Sequence, residues 1–329
     1  MKVLFVPPMS YPLHMGGFES QVLHIFNELK NNGVDVCWYD LVNTDLSEYD
    51  IIHFHSSVTE FIPIAMKAKD LGKIIVVTPM IGSPKSSNVS YLFKKIASNL
   101  PGLFFVMKKF KLLYSMADAF ITLTQFEKIR LNKVFGISKN TFIVPNGIDD
   151  SFFFKSDIRV DLPFQQYVIV VGRIEPDKNQ LPLIEIANQL NFNLLIVGEP
   201  GIGQKDYLRL CKEKAHDNVY FWGKETNPQI MRILYENAFL TAIPSVTEML
   251  PLVIFESLSQ KTPVLCTTHC GFYPQSLDGV FYAKPEKRDL LKKMKEIIPN
   301  ISKVNIGSQG IYSWDDIAKH HISIYNKLF

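Results

Sequence analysis

Long apolar runs are missing from this 329-residue chain. Val3–Val6 is cut off by Pro7 and Pro8, well short of the apolar segment of a secretory leader. No stretch approaches the roughly 20 apolar residues that a membrane helix needs. Cysteine is scarce too. Four cysteines in a chain this long do not make a disulfide scaffold, and they suit a reducing compartment. The expectation is a cytoplasmic protein, at most peripheral at the inner face of a membrane. Cys266, His269 and Cys270 lie close together, but two cysteines and one histidine are an incomplete zinc set, and Cys266 fits equally as the end of a buried strand. No metal is expected.

Charge of one sign is also sparse in places. The net charge is only +3, which gives no ground for general nucleic-acid binding. Between Asp70 and Asp118 there is no acidic residue, while Lys73, Lys85, Lys94, Lys95, Lys108, Lys109 and Lys111 fall in that interval. Interleaved with Leu92, Phe93, Ile96, Leu103, Phe104, Phe105 and Phe110, these lysines describe either an interfacial segment attracted to an anionic membrane or a basic helix with a buried apolar side.

What the chain has is enough apolar material for a large core, 47% against 20% charged, and enough length for two domains. Lys2–Val6 reads as a short buried strand. A Pro- and Gly-containing loop follows, and then Phe18–Asn31 shows helical spacing, with Val22, Ile25, Phe26 and Leu29 on one face. Further short strands are expected at 34–39, 51–55, 73–78, 119–124 and 141–144, with helices between them. A second series of the same kind starts near Tyr167, with strands at 168–171, 194–197, 219–222, 239–243 and 263–266. Such alternation predicts α/β architecture with doubly wound parallel sheets. The expected division is 1–155, 156–311 and a terminal helix within 312–329.

The stretch Ser245–Ser257 carries two carboxylates, Glu248 and Glu256, eight positions apart, with Pro251 between them. Proline suits a first helical turn, so Glu248 should lie in the loop before a helix and Glu256 in its second turn. A helix start favours phosphate, and flanking carboxylates suit the hydroxyls of a sugar attached to it. Two solvated acids beside a core helix would give the same spacing.

Several segments, in order, resemble the family 4-like glycosyltransferases (glycosyl transferases group 1) of the two-Rossmann GT-B fold. They are Gly16-Gly17-Phe18-Glu19, Val144–Asp149, Val171–Asn179 with Arg173 and Lys178, Ser245–Glu256, Thr262-Pro263-Val264 and the terminal helix from Trp314. The resemblance spans nearly the whole chain. It implies two Rossmann-like domains facing across a cleft and a terminal helix that crosses back to the first domain. It also implies transfer of a hexose from a nucleotide diphosphate sugar to a glycan or lipid-linked acceptor, with retention, in cell-envelope polysaccharide or glycolipid synthesis. No cofactor is implied beyond the nucleotide sugar itself.

Residue by residue, the resemblance assigns Arg173, Lys178 and Glu248 to catalysis. It assigns Gly16, Gly17, Glu256, Met249 and Leu250 to donor binding. His14, His55 and Met80 are candidates for acceptor or phosphate contacts, and His55 serves equally as a structural residue. Three positions depart from the family pattern: Met80 stands near a usual histidine, Lys261 near a usual glycine, and Gln275 where an acid is frequent. A non-catalytic nucleotide-sugar-binding partner subunit and a nucleotide-sugar epimerase are the alternatives.

Overall fold

The computed structural model describes all residues except 10, 12–15, 82–104, 139, 156, 157, 274–276, 308 and 309. His14, Gln275 and residues 82–104 of the basic interval, with Lys85, Lys94 and Lys95, therefore lie outside the described residues. The chain forms two compact units. One holds described residues up to Gly147 together with Tyr312–Phe329; the other holds Ile148–Ile311.

In the first unit the elements are β1 (Lys2–Val6), α1 (Gly17–Asn31), β2 (Asp35–Trp38), β3 (Ile51–His55), α2 (Phe61–Asp70) and β4 (Ile74–Thr78). They continue with α3 (Phe105–Met116), β5 (Ala119–Thr122), α4 (Gln125–Phe135) and β6 (Thr141–Ile143). The six strands pair in the order β2-β1-β3-β4-β5-β6, all parallel. Central strands such as β3 are buried along their whole length, which is why they read as unbroken apolar runs rather than alternations.

Leu4, Val6, Ile52, Phe54, Ile75 and Val77 face a core completed by residues of α2, α3 and α4. The alternate residues face α1. There the last helix of the chain, α10 (Trp314–Leu328), packs beside α1. Its Ser313 N-cap takes the Asp316 amide at 3.1 Å, and Asp316 returns a bond to the Ser313 amide at 3.1 Å. Such a reciprocal cap satisfies helix-end donors that would otherwise lack partners. A Cβ on Gly147 would lie 2.8 Å from the Ser313 carbonyl, so only glycine lets the chain pass so near the start of α10.

The second unit contains β7 (Tyr167–Val171), α5 (Gln180–Leu190), β8 (Leu194–Val197), α6 (Lys205–Lys214), β9 (Val219–Gly223) and α7 (Pro228–Glu236). After these come β10 (Ala238–Ile243), α8 (Leu252–Ser259), β11 (Val264–Thr267), β12 (Val280–Ala283) and α9 (Lys287–Ile297). Its parallel sheet runs β12-β11-β10-β7-β8-β9. Counted within the unit, that is the 3-2-1-4-5-6 order of dinucleotide-binding sheets, with its reversal between β7 and β10. Ligands of open parallel sheets collect outside the strand ends at such a reversal, because the two flanking crossovers leave there on opposite faces.

Candidate active site

The loops that leave β7 and β10 meet at this reversal. Two glycines shape the first loop. Gly172 and Gly198 have φ values of +146° and +150°, and a Cβ on Gly198 would stand 2.0 Å from the Gly172 carbonyl oxygen. Only glycine combines that backbone with that approach. The loop then forms a single turn, Pro176–Lys178, and ends on Asn179, which adopts φ +58°. The Asn179 amide group donates to the Pro244 and Pro285 carbonyls at 3.0 and 2.9 Å. In the second loop, the Val246 amide donates to the Asp177 carbonyl at 2.8 Å. Backbone and side chain thus fasten one loop to the other.

This fastening brings Lys178 and Glu248 into a direct ion pair, both side chains largely buried. The Ser245 hydroxyl donates to the same Glu248 oxygen at 2.8 Å. From below, the Glu248 amide reaches the His269 carbonyl at 3.2 Å, and the Gly271 amide returns to the Glu248 carbonyl at 3.0 Å. Glu248 does lie in the loop before α8. Pro251 is the N-cap of that helix rather than a residue of its first turn, because its ψ of +130° is still extended. Glu256 follows in the second turn.

Arg173 is mostly exposed, and its guanidinium meets Glu175 at 3.2 Å. Glu256 stands apart from these pairs and accepts a hydrogen bond from the Tyr235 hydroxyl at 2.8 Å. Burial pushes the Glu256 carboxyl up to about 7; the Tyr235 bond opposes that shift and the charge of Asp149 adds to it. Leu250 is buried, and Met249 presents its carbonyl to Gly271, where a Cβ would come within 2.3 Å.

In the first unit, Gly16 is the N-cap of α1 in extended backbone, and its amide donates to the Glu19 carboxylate at 2.9 Å. A Cβ on Gly17 would meet open space. Neither glycine has the positive φ that would explain it by strain, so the Gly-Gly pair is not a turn requirement here. Met80 has φ +50°, and the next amide, of Ile81, is held by Glu127 at 2.8 Å. Glu127 is buried, and burial pushes its carboxyl up to about 7. Sequence reasoning passed over Glu127; the Thr124-x-x-Glu127 capping pattern was the available signal.

His55 is fully buried, with the Phe5 ring 4.2 Å away between centroids, and its Nε2 has no hydrogen-bond partner among the described residues. Cys266 lies fully buried in β11, and His269 directs Nδ1 at the Val246 carbonyl, 3.0 Å away. Among the described residues, no group of three or more metal-ligating side chains comes together.

Two family models match the chain. Glycosyl transferases group 1 matches residues 154–308, and Glycosyltransferase Family 4 matches residues 38–152. The chain belongs to the group 1 glycosyltransferases. Their two-sheet architecture is the one found here, and the chain is an enzyme of that family.

Among its relatives, the uncharacterized glycosyltransferase MJ1607 of Methanocaldococcus jannaschii is 23% identical over 85% of this chain and 76% of its own. The D-inositol 3-phosphate glycosyltransferase of Mycolicibacterium smegmatis is 34% identical, over 38% of this chain and 30% of that protein. That alignment thus spans under a third of the curated relative. Anabaena HepE, solved in complex with UDP, superposes over 100% of both chains with a TM-score of 0.73 at 17% identity, a likeness of fold.

Proposed function

We propose that this group 1 glycosyltransferase moves a hexosyl group from a nucleoside diphosphate sugar to a glycan or lipid-linked acceptor, with retention of configuration. The observation that carries the reading is the Lys178–Glu248 pair at the reversal of the second sheet. A cation there suits a diphosphate, and a carboxylate beside it suits hydroxyls of the attached sugar.

In this reading the bond from the anomeric carbon to the diphosphate oxygen breaks as the acceptor hydroxyl oxygen bonds to that carbon and its proton passes to the departing diphosphate. Arg173 and Lys178 stabilise the negative charge that develops on the departing diphosphate. Glu248 accepts hydrogen bonds from the hexose, and Glu256 accepts them from the ribose. Met249 and Leu250 supply backbone contacts to the donor. The UDP bound by HepE makes uridine the first base to try.

The test is a binding screen of uridine and guanosine diphosphate sugars, followed by release of nucleoside diphosphate with an acceptor mixture. Binding of one donor with acceptor-dependent release is expected. Absence of binding across both series overturns the reading.

The acid-free interval supports a peripheral location on an anionic cytoplasmic membrane surface. Among the described residues no helix is long and apolar enough to cross a membrane. In α3, which lies within the interval, Lys108 is exposed and Leu112 is 46% exposed. Sedimentation with phosphatidylserine-containing liposomes, but not with neutral ones, is the expected behaviour. Equal recovery in both supernatants at low salt removes the membrane from the account.

A further inference from the structure

Glu175 lies between Arg173 and Lys178 in the loop after β7, and its carboxylate meets the first of these cations. Its side chain pairs with Arg173 at 3.2 Å, and its carbonyl takes the Lys178 amide at 2.9 Å. Unlike an ordinary surface acid it is seated. Its side chain is 18% exposed, whereas that of Arg173 is 60% exposed. The backbone beside it is fixed by a parallel bridge between Ile174 and Pro200, with the Ile174 amide on the Glu199 carbonyl at 2.8 Å. Buried Gly201 forms the wall of the seat. A Cβ on Gly201 would stand 2.6 Å from Glu175 Oε2. Gly201 is outside the positive-φ set, so its lack of a side chain serves space rather than backbone conformation.

The seat therefore holds a negative charge against the guanidinium that would meet a diphosphate. Lys178 carries a carboxylate too, that of Glu248. Asp177 lies in the loop after β7 and Glu199 in the loop after β8. Carboxylates thus outnumber cations at this edge, and an arriving phosphate must compete with Glu175 for Arg173.

We propose that Glu175 is a positioning residue that weakens the hold of this unit on a nucleoside diphosphate by neutralising Arg173, so that the product of transfer is released. The inference rests on the donor-site reading above and adds a residue outside that set of contacts. Its chemistry is simple competition between two anions for one guanidinium. Glu175→Gln keeps the shape and removes the charge. Gly201→Ala keeps the charge and pushes the carboxylate out of its seat.

The experiment is titration calorimetry of wild type, Glu175→Gln and Gly201→Ala with UDP and GDP, with folding checked by circular dichroism. For whichever nucleotide wild type binds, Glu175→Gln should bind about 3- to 5-fold more tightly at low salt, the scale of a partly exposed ion pair. Gly201→Ala should fall between Glu175→Gln and wild type. The gain should shrink as salt rises to about 0.5 M, where screening shortens the reach of charge; a purely steric change would not respond to salt.

If wild type binds and Glu175→Gln binds equally or more weakly, the role of Glu175 is overturned while the donor site stands. Should wild type bind neither UDP nor GDP, the donor-site reading fails, and this inference with it. If Gly201→Ala does not fold, Glu175→Gln and its salt dependence decide alone.

Discussion

The Tyr235 hydroxyl donates to Glu256 Oε2 at 2.8 Å, tying α7 to the carboxylate on α8. Because burial raises that carboxyl to about 7, its charge changes across the neutral range. Ribose hydroxyls donate best to the ionised form. Nucleoside diphosphate affinity should therefore rise as pH goes from about 6 to about 8, by up to about tenfold for one group of this kind. Glu256→Gln should flatten that part of the profile; the titration of the ligand's own phosphate cancels in the comparison. Tyr235→Phe removes the bond that holds the carboxyl down and should move the midpoint to higher pH. Calorimetric titration at stepped pH measures both effects.

The same carboxyl affects stability in the opposite direction. Folded protein keeps a proton on Glu256, and on Glu127, that the unfolded chain releases above the ordinary carboxylate range near 4.5. The unfolded state then binds fewer protons, so stability falls as pH rises from about 4.5 to about 7. Glu127→Gln should reduce the fall measured by denaturant titration. It should also loosen the Ile81 amide, which has the Glu127 carboxylate as its acceptor.

Arg173→Ala should lower the transfer rate about 100- to 1000-fold, the range for removing one donor that stabilises developing charge. Glu256→Ala should act mainly on donor affinity, since ribose contacts change little between ground and transition states. Steady-state kinetics with substrate binding measured separately distinguishes the two. Wild-type rate and affinity in both variants would remove Arg173 and Glu256 from the mechanism.

Gly198→Ala should destabilise the second unit by about 3 kcal/mol or more, from backbone strain together with the clash against the Gly172 carbonyl. The strain falls on the residue before Arg173, so activity should drop at temperatures where the variant remains folded. Thermal unfolding and activity on one preparation check this.

Three buried histidines lie on the α10 side of the first sheet. His53 Nδ1 is 2.7 Å from the Tyr325 hydroxyl, the His53 and His55 rings are 4.0 Å apart, and His321 lies 6.0 Å from His53. Burial holds all three below the usual histidine range, His321 at about 4. Below pH 6.5 the unfolded chain gains protons that the folded one refuses, so this contribution to stability is lost on acidification. His55→Leu removes a ring whose Nε2 has no partner among the described residues. Relative to wild type, that variant should gain stability between about pH 6.5 and 5. A wild-type-like slope in denaturant titrations over that interval would refute the assignment.

Much of the fold was legible in the sequence because strand and helix periodicity are local. Buried parallel strands such as Ile51–His55 and Leu194–Val197 show as apolar runs of the right length, and α1 and α10 show as helical stripes. β12 was missed: it is the edge strand of its sheet, and Val280–Tyr282 are only partly buried, unlike the central strands. The chemistry of Ser245–Glu256 and of Arg173–Lys178 was also written in residue type and order.

Which of those residues meet was decided only in three dimensions. Lys178 and Glu248 are 70 positions apart, and they pair because β10 lies beside β7 in the sheet. The crossovers fix that strand order, and no local pattern encodes it. Glu175 is held by a glycine in the loop after β8, and His53 by a tyrosine 272 positions away on the last helix. Sequence determines which groups a chain can present; parallel pairing and close packing determine which of them share a charge, a proton or a seat.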